Sequence, residues 1–200
     1  MTLGAGRFRR CFHWLVLLFV VAVSPVLAQN AVVQLDPTKS TVDFSVSDVL
    51  HTVHGQFRLK SGTVTFDPVT GKASGVVVID AASGNTGNES RDRKMHREVL
   101  ESQKYPEITF RPSHLEGTVA AQGDSQVALT GVINLHGQDH EIIMQARVHI
   151  EGTDVSTDVD FPVPYVKWGL KNPSTFILRV SGTVQVQMRA AGQIMMPIPN

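Results

Sequence analysis

Apolar and polar residues alternate one for one through most of this chain, and that period of two constrains its fold more than any other feature. Val42, Phe44 and Val46 alternate with Thr41, Asp43 and Ser45. Val53, Gly55, Phe57 and Leu59 share one parity; Gly62, Val64 and Phe66 share the other. Val127, Leu129, Gly131, Ile133 and Leu135 lie on one face, and Ile142, Met144, Ala146, Val148 and Ile150 on another. Phe176, Leu178 and Val180, then Val184, Val186 and Met188, repeat the pattern. Successive side chains of a strand point to opposite faces, so such runs make strands with one wet and one buried side.

Turn chemistry separates the runs. In Asp67-Pro68-Val69-Thr70-Gly71 the proline pre-sets a turn and the glycine supplies a positive φ. His136-Gly137-Gln138-Asp139 reads as a hairpin connection. About eight or nine strands follow, mostly joined by short links. Several are long; the run 174–188 reads as one strand of roughly 45 Å. Long, regularly alternating strands favour an antiparallel barrel over a small sandwich. The fold class is therefore all-β, a barrel of about eight strands.

One stretch breaks the alternation. Asn88 to Gln103 is rich in good helix formers, with Asn88 placed as a cap and Met95, Val99 and Leu100 as a narrow apolar stripe. It reads as one short helical insertion between strands ending near Ala82 and starting near Glu107. No internal repeat or linker divides the chain, so one domain covers 31–190. Residues 191–200 read as an apolar tail, a frayed end rather than a strap over an opening.

The N-terminus carries a different signal. Arg7, Arg9 and Arg10 precede an almost wholly apolar run from Cys11 to Val23, and Val26-Leu27-Ala28 places modest side chains at a cleavage position. This is the layout of a secretory signal peptide, residues 1–28, cleaved after Ala28. The run falls short of the ~20 residues of a spanning helix, which argues against an uncleaved anchor. Removal takes three of the 18 basic residues, none of the 18 acidic ones and the only cysteine, leaving a chain of net charge −3. The expected location is periplasmic or secreted. An exported chain without cysteine must rest on its core alone. A balance this far from basic argues against nucleic acid as a partner.

Few residues suggest chemistry. Seven histidines follow the signal, and His51 and His54 are three apart, which puts them on opposite faces of a strand. His136 and His140 flank a tight turn with Asp139 beside them. These three would serve a metal-assisted hydrolase, the competing reading, although a three-ligand metal set does not follow from the sequence. There is no nucleophile elbow and no phosphate-binding glycine loop. The expectation is no enzyme, no cofactor and no metal.

A closed sheet of this size has an inside. Phe44, Phe57, Phe66, Phe110, Phe161 and Phe176 are the large inward groups, and Gly55, Gly62, Gly131 and Gly182 reduce the filling. With Leu129, Ile133, Met144 and Leu178 these residues would line a tunnel for one apolar ligand. The same aromatics would equally make a solid core, and the pattern leaves both open.

Six ordered stretches resemble the YceI-like family: Ser40-Thr-Val-Asp-Phe-Ser-Val46, Val53-His-Gly-Gln-Phe57, Gly62-Thr-Val-Thr-Phe-Asp-Pro68, Asn85-Thr-Gly-Asn-Glu-Ser-Arg-Asp92, Tyr105-Pro-Glu-Ile-Thr-Phe110 and Leu129-Thr-Gly-Val-Ile-Asn-Leu-His-Gly137. The resemblance covers about 36–190. It implies a lipocalin-like barrel, exported, holding a long-chain amphiphile of polyisoprenoid or fatty-acyl type, without enzymatic activity or metal. Arg91 and Asp92 match the family's Arg-Asp pair and, with His96, are expected at a polar mouth. Residues 161–175 depart from the family's commonest sequence and look like a branch of it. There Tyr165 and Trp168 are expected to rim the opening, with Lys167 and Lys171 facing an anionic head group. Membrane contact is expected to be transient at most. Edge strands or the apolar tail leave room for a homodimer. The third reading is a periplasmic partner protein with a solid core.

Overall fold

The computed structural model describes residues 30–48, 51–174 and 179–195. Nine strands run through them: β1 (Ala31–Leu35), β2 (Thr41–Ser47), β3 (Thr52–Phe66), β4 (Ala73–Asn85), β5 (Glu107–Glu116), β6 (Gly123–Leu135), β7 (Gln138–Glu151), β8 (Asp154–Val163) and β9 (Val184–Met195). From β2 onward each strand pairs antiparallel with the next in sequence. β9 returns to β2, with Phe44 opposite Val186, so β2–β9 close an eight-stranded barrel. β1 runs in the direction of β2 and fills the same place in the wall further down. It pairs Val33 with Val64 of β3 and with Ile194 of β9.

The alternation explains which side of each strand faces in. In β3 it changes parity, from odd positions at Val53–Leu59 to even positions at Gly62–Phe66. The register shift between Leu59 and Ser61 makes the change, because there β3 has an extra residue relative to β4 and the following side chains turn over; at the shift between Gln56 and Arg58 the extra residues are in β4. The turns follow their residues. Asp67 accepts from the backbone N–H groups of Val69 and Thr70 and from the Thr70 hydroxyl, which hold its carboxyl below the ordinary carboxylate range. The β6–β7 hairpin turns on His136 and Gly137, both at positive φ, as a two-residue turn of this twist requires.

The two ends of the barrel differ. At the lower end Ala31, Phe66, Ala73, Ile150, Val155 and Ile194 form a packed floor. At the upper end lie the link 86–106 and the described residues of the link 164–183. The first contains helix α1 (Glu89–Lys94) and a π-helical turn (Met95–Val99). Asn88 caps α1, accepting from the Arg91 N–H at 3.0 Å, which places the helical insertion where its sequence puts it.

Two expectations change. The strand read over 174–188 is not continuous: the structure shows Val180 in an isolated bridge to Asp48, and the wall strand starts at Val184. Phe176 and Leu178 lie outside the described residues, as do the signal segment 1–28 and residues 196–200. The strand runs on through 191–195, read as the start of a frayed tail. Gly192 permits this, because a Cβ there would collide with the Gln34 carbonyl across the β1–β9 ladder. Ring closure gives every described strand two neighbours, and the last strand pairs with β1 as far as Met195.

Ile194 is 2% exposed and packs in the floor. Ile194→Ala is therefore expected to cost about 2–5 kcal/mol in urea unfolding, whereas a frayed residue would give a change near zero.

Candidate functional site

The barrel is hollow. A cavity of about 740 Å³ runs from the floor to the helical end. That lies within the roughly 300–1,000 Å³ of typical small-molecule sites. Its wall is made by the inward parity of the strands, with Val42, Val77, Val127, Val159, Val186 and Met188 among the lining residues. Thr157 on β8 places a hydroxyl-bearing side chain in that lining.

Of the residues expected to line a tunnel, Phe44, Phe57, Phe66, Phe110, Leu129, Ile133, Met144, Phe161 and Tyr165 do so. Gly55, Gly62 and Gly131 reduce the filling through a neighbouring side chain. Phe44 sits opposite Gly55, and a Cβ on Gly55 would fall inside the Phe44 ring. Phe110 covers Gly131 in the same way, and Leu35 covers Gly62. Each glycine lets a neighbouring side chain lie against the wall instead of projecting to the axis. Gly131 is thus beneath the lining and not part of it. Gly182 is not on the wall but in the upper link, 3.4 Å from the Val166 side chain by its notional Cβ.

The helical link closes over the upper end. Met95, Val99 and Leu100 face the cavity, as the stripe predicts. The π turn arises where the Leu100 N–H bonds to the Met95 carbonyl, five residues back. Asn88, Ser90, Arg91 and Lys94 supply polar groups to the lining at this end. No side chain of α1 or the π turn is fully buried; Val99 and Leu100 pack part-buried against the cluster of Ile133, Leu135, Tyr165 and Leu170, and polar ties add to this. Arg91 donates from Nε to the Thr86 hydroxyl at 2.7 Å and from Nη2 to the Thr86 carbonyl at 2.9 Å. Asp92 accepts from the Thr86 N–H at 3.0 Å and from its hydroxyl. The Arg-Asp pair therefore grips Thr86 from both sides; Arg91 reaches the lining and Asp92 does not. His96 also lies off the lining, bridging the Gly84 carbonyl at 2.8 Å and the Ser102 hydroxyl at 3.1 Å.

The second link is tied to the first. Lys94 Nζ donates to the Pro173 carbonyl at 3.1 Å, and Lys171 to Glu98 at 2.9 Å. Bonds from Arg97 and Lys171 hold the Glu98 carboxyl down to about 2. Tyr165 is buried, its hydroxyl donating to the Ser181 carbonyl, and burial raises its pKa. Trp168 does not line the cavity: its indole stacks on the His140 ring at 4.3 Å and 2°.

The candidate hydrolase residues do not converge. Asp139 accepts from Arg111 at 2.7 Å and Asn134 at 2.6 Å, which lower its pKa, Asn134 first. His136 packs on Tyr105, with Nε2 3.4 Å from Glu101, and His140 is under Trp168. Among the described residues no three His, Cys, Asp or Glu side chains gather as a metal site.

Comparison with known proteins agrees with this geometry. A family model described as the YceI-like domain matches residues 33–191. A UPF0312 protein of Pseudomonas syringae pv. tomato is 28% identical over 138 residues, spanning 68% of this chain and 70% of that protein. One of Vibrio cholerae is 28% identical over 138 residues, 66% and 71% of the two chains. The crystal structure of Burkholderia cenocepacia BcnA superimposes with a TM-score of 0.64 at 20% identity, over 78% of this chain and 98% of that one. A polyisoprenoid binding domain from Saccharophagus degradans gives 0.60 at 19%, over 80% and 97%.

The Glu98 tie fixes a pH window. Its contribution is complete above the ordinary carboxylate pKa of 4.5 and is lost as pH falls through about 2. The difference in urea midpoint between wild type and Glu98→Gln is expected to be constant above that range and to close as pH is lowered towards 2.

Proposed function

The chain belongs to the YceI-like family, and from that footing we propose that it is an exported binding protein, not an enzyme, that holds a long amphiphile of polyisoprenoid or fatty-acyl type inside its barrel. The observation that carries this reading is the cavity: an almost wholly apolar wall, a closed floor, and polar groups concentrated at one end. Such a shape suits a chain with an apolar tail and a small head. Each methylene removed from water contributes ~0.8 kcal/mol, so ten give roughly 8 kcal/mol before the cost of association. Affinity then needs few polar contacts, and selectivity comes from tunnel length and the groups near Arg91 and Lys94. The name of the Saccharophagus degradans domain supports a prenyl chain as one such cargo. The signal-like segment 1–28 supports an extracytoplasmic site of action.

Native mass spectrometry of protein recovered from the envelope of an expressing bacterium, followed by organic extraction, tests the reading. A discrete mass excess that extracts as a prenyl or acyl compound is the expected result. A ligand-free mass that does not rise after incubation with geranylgeraniol or oleic acid would sink it. The same spectra report whether residues 1–28 have been removed.

Leu129 faces the void from the middle of β6. Leu129→Trp is expected to lower lipid occupancy at least tenfold while leaving the far-ultraviolet circular dichroism of the barrel unchanged.

A further inference from the structure

Charge is distributed unevenly between the two parts of this molecule. The links 86–106 and 164–183, whose described residues make the upper end, carry eight Lys or Arg against four Asp or Glu. Adding Asp48, whose bridge to Val180 brings it to the same end, and Asp139, beside the β6–β7 turn that packs against both links, makes six. The rest of the chain after residue 28 has seven basic residues against the remaining twelve acidic ones. A net-negative barrel therefore presents a net-positive end, and that end holds the cavity's polar groups.

Several of these cations are not neutralised locally. Arg93 pairs with Glu89, and Arg97 and Lys171 share Glu98. Arg91 and Lys94 bond only to Thr86 and the Pro173 carbonyl. Lys167 and Arg179 are exposed and in no ion pair among the described residues; Lys104 is exposed too, 4.9 Å over the Tyr105 ring, with its pKa raised by Tyr105 and by Glu101. Beside Lys167 the same link displays Val166, 37% exposed, and the part-exposed Trp168. Cations with an aromatic and an aliphatic group between them suit the boundary of an anionic bilayer, where Trp settles at head-group depth.

We infer that the upper end is a docking face for an anionic phospholipid surface, on which the barrel stands mouth-down while its acidic body is held away. The inference deepens the carrier reading and rests on it for its purpose, since the cavity then opens towards the source or destination of its cargo. The orientation follows from the charge distribution: an anionic surface attracts one end and repels the body. Contact is reversible, because the described face adds few apolar groups to the electrostatic term.

Co-sedimentation of the full exported protein with phosphatidylcholine vesicles, with and without phosphatidylglycerol, tests this. Binding is expected only with the anionic lipid and is expected to vanish near 1 M salt, where the screening length falls to about 3 Å. The triple variant Lys104→Gln, Lys167→Gln, Arg179→Gln is expected to bind on the order of 100-fold more weakly at low salt, about fivefold per cation. A matched triple on the body, Lys39→Gln, Lys72→Gln, Arg147→Gln, removes equal charge and is expected to leave binding within a few-fold of wild type. Circular dichroism confirms that each variant is folded. No binding to anionic vesicles, or equal loss from both triples, would overturn the inference; retention on polyglutamate beads without vesicle binding would replace the lipid surface with an acidic protein. The cargo reading fails separately: Leu129→Trp that is empty yet still sediments leaves docking standing, whereas lipid-loaded wild type that stays in solution overturns docking alone.

Discussion

The hydrogen-bonded seam along β9 is the constraint on which the rest depends. β9 meets β2 through residues 185–189 and β1 through 192–195, so one strand closes the barrel against two short ones placed end to end. The step between them is the link 36–40, where the Asp36 N–H reaches the Ala191 carbonyl and the Ser40 hydroxyl bonds to the Asp36 carbonyl. Without this closure the β2 and β9 edges would be open, and the inward residues of every strand would face water. With it, Ile194 and Ala31 enter the floor and the cavity has a closed end.

Closure alone does not make a cavity, since small barrels are commonly filled by their own side chains. Here the filling is thinned by cross-strand pairs of glycine with a large neighbour. Phe44 over Gly55 and Phe110 over Gly131 keep rings along the wall. Phe44 and Phe57 pack against each other at 4.9 Å, which fixes that orientation. Small inward residues such as Ala146 add to the space. The aromatic content that suggests a solid core is the material of a lining.

The upper end is built on other physics. The floor is held by buried apolar side chains, whereas α1 and the π turn bury none completely and combine part-buried apolar packing of Val99 and Leu100 with bonds to Thr86, Gly84, Pro173 and Lys171. Regions held by part-exposed polar contacts open at lower free energy than packed cores. The two ends of the barrel are thus held by different mixtures of contacts, the upper one combining the Ile133, Leu135, Val163, Tyr165 and Leu170 cluster with the polar ties of the helical link. The same end carries the excess of basic side chains, so access and electrostatic attraction coincide.

The sequence by itself determined which side of β2, β3, β6, β7 and the first half of β9 is buried, because parity is a local property of an extended chain. It also placed the helical insertion, its Asn88 cap and its Met95–Val99–Leu100 stripe, and it identified nine of the lining residues. Its ordered motifs pointed to the family. The parity change in β3 was readable as well, and marks the register shift between Leu59 and Ser61. Only the tertiary structure decided how far the last strand runs, since Gly192 and Ile194 acquire their meaning from β1, some 160 residues away. It also decided that Gly131 lies beneath Phe110 and that Trp168 stacks on His140 off the lining, contacts between segments that periodicity does not relate. Alternation states that a residue points inward; whether it meets a neighbour or an empty space depends on closure of the ring and on side chains that arrive from other strands.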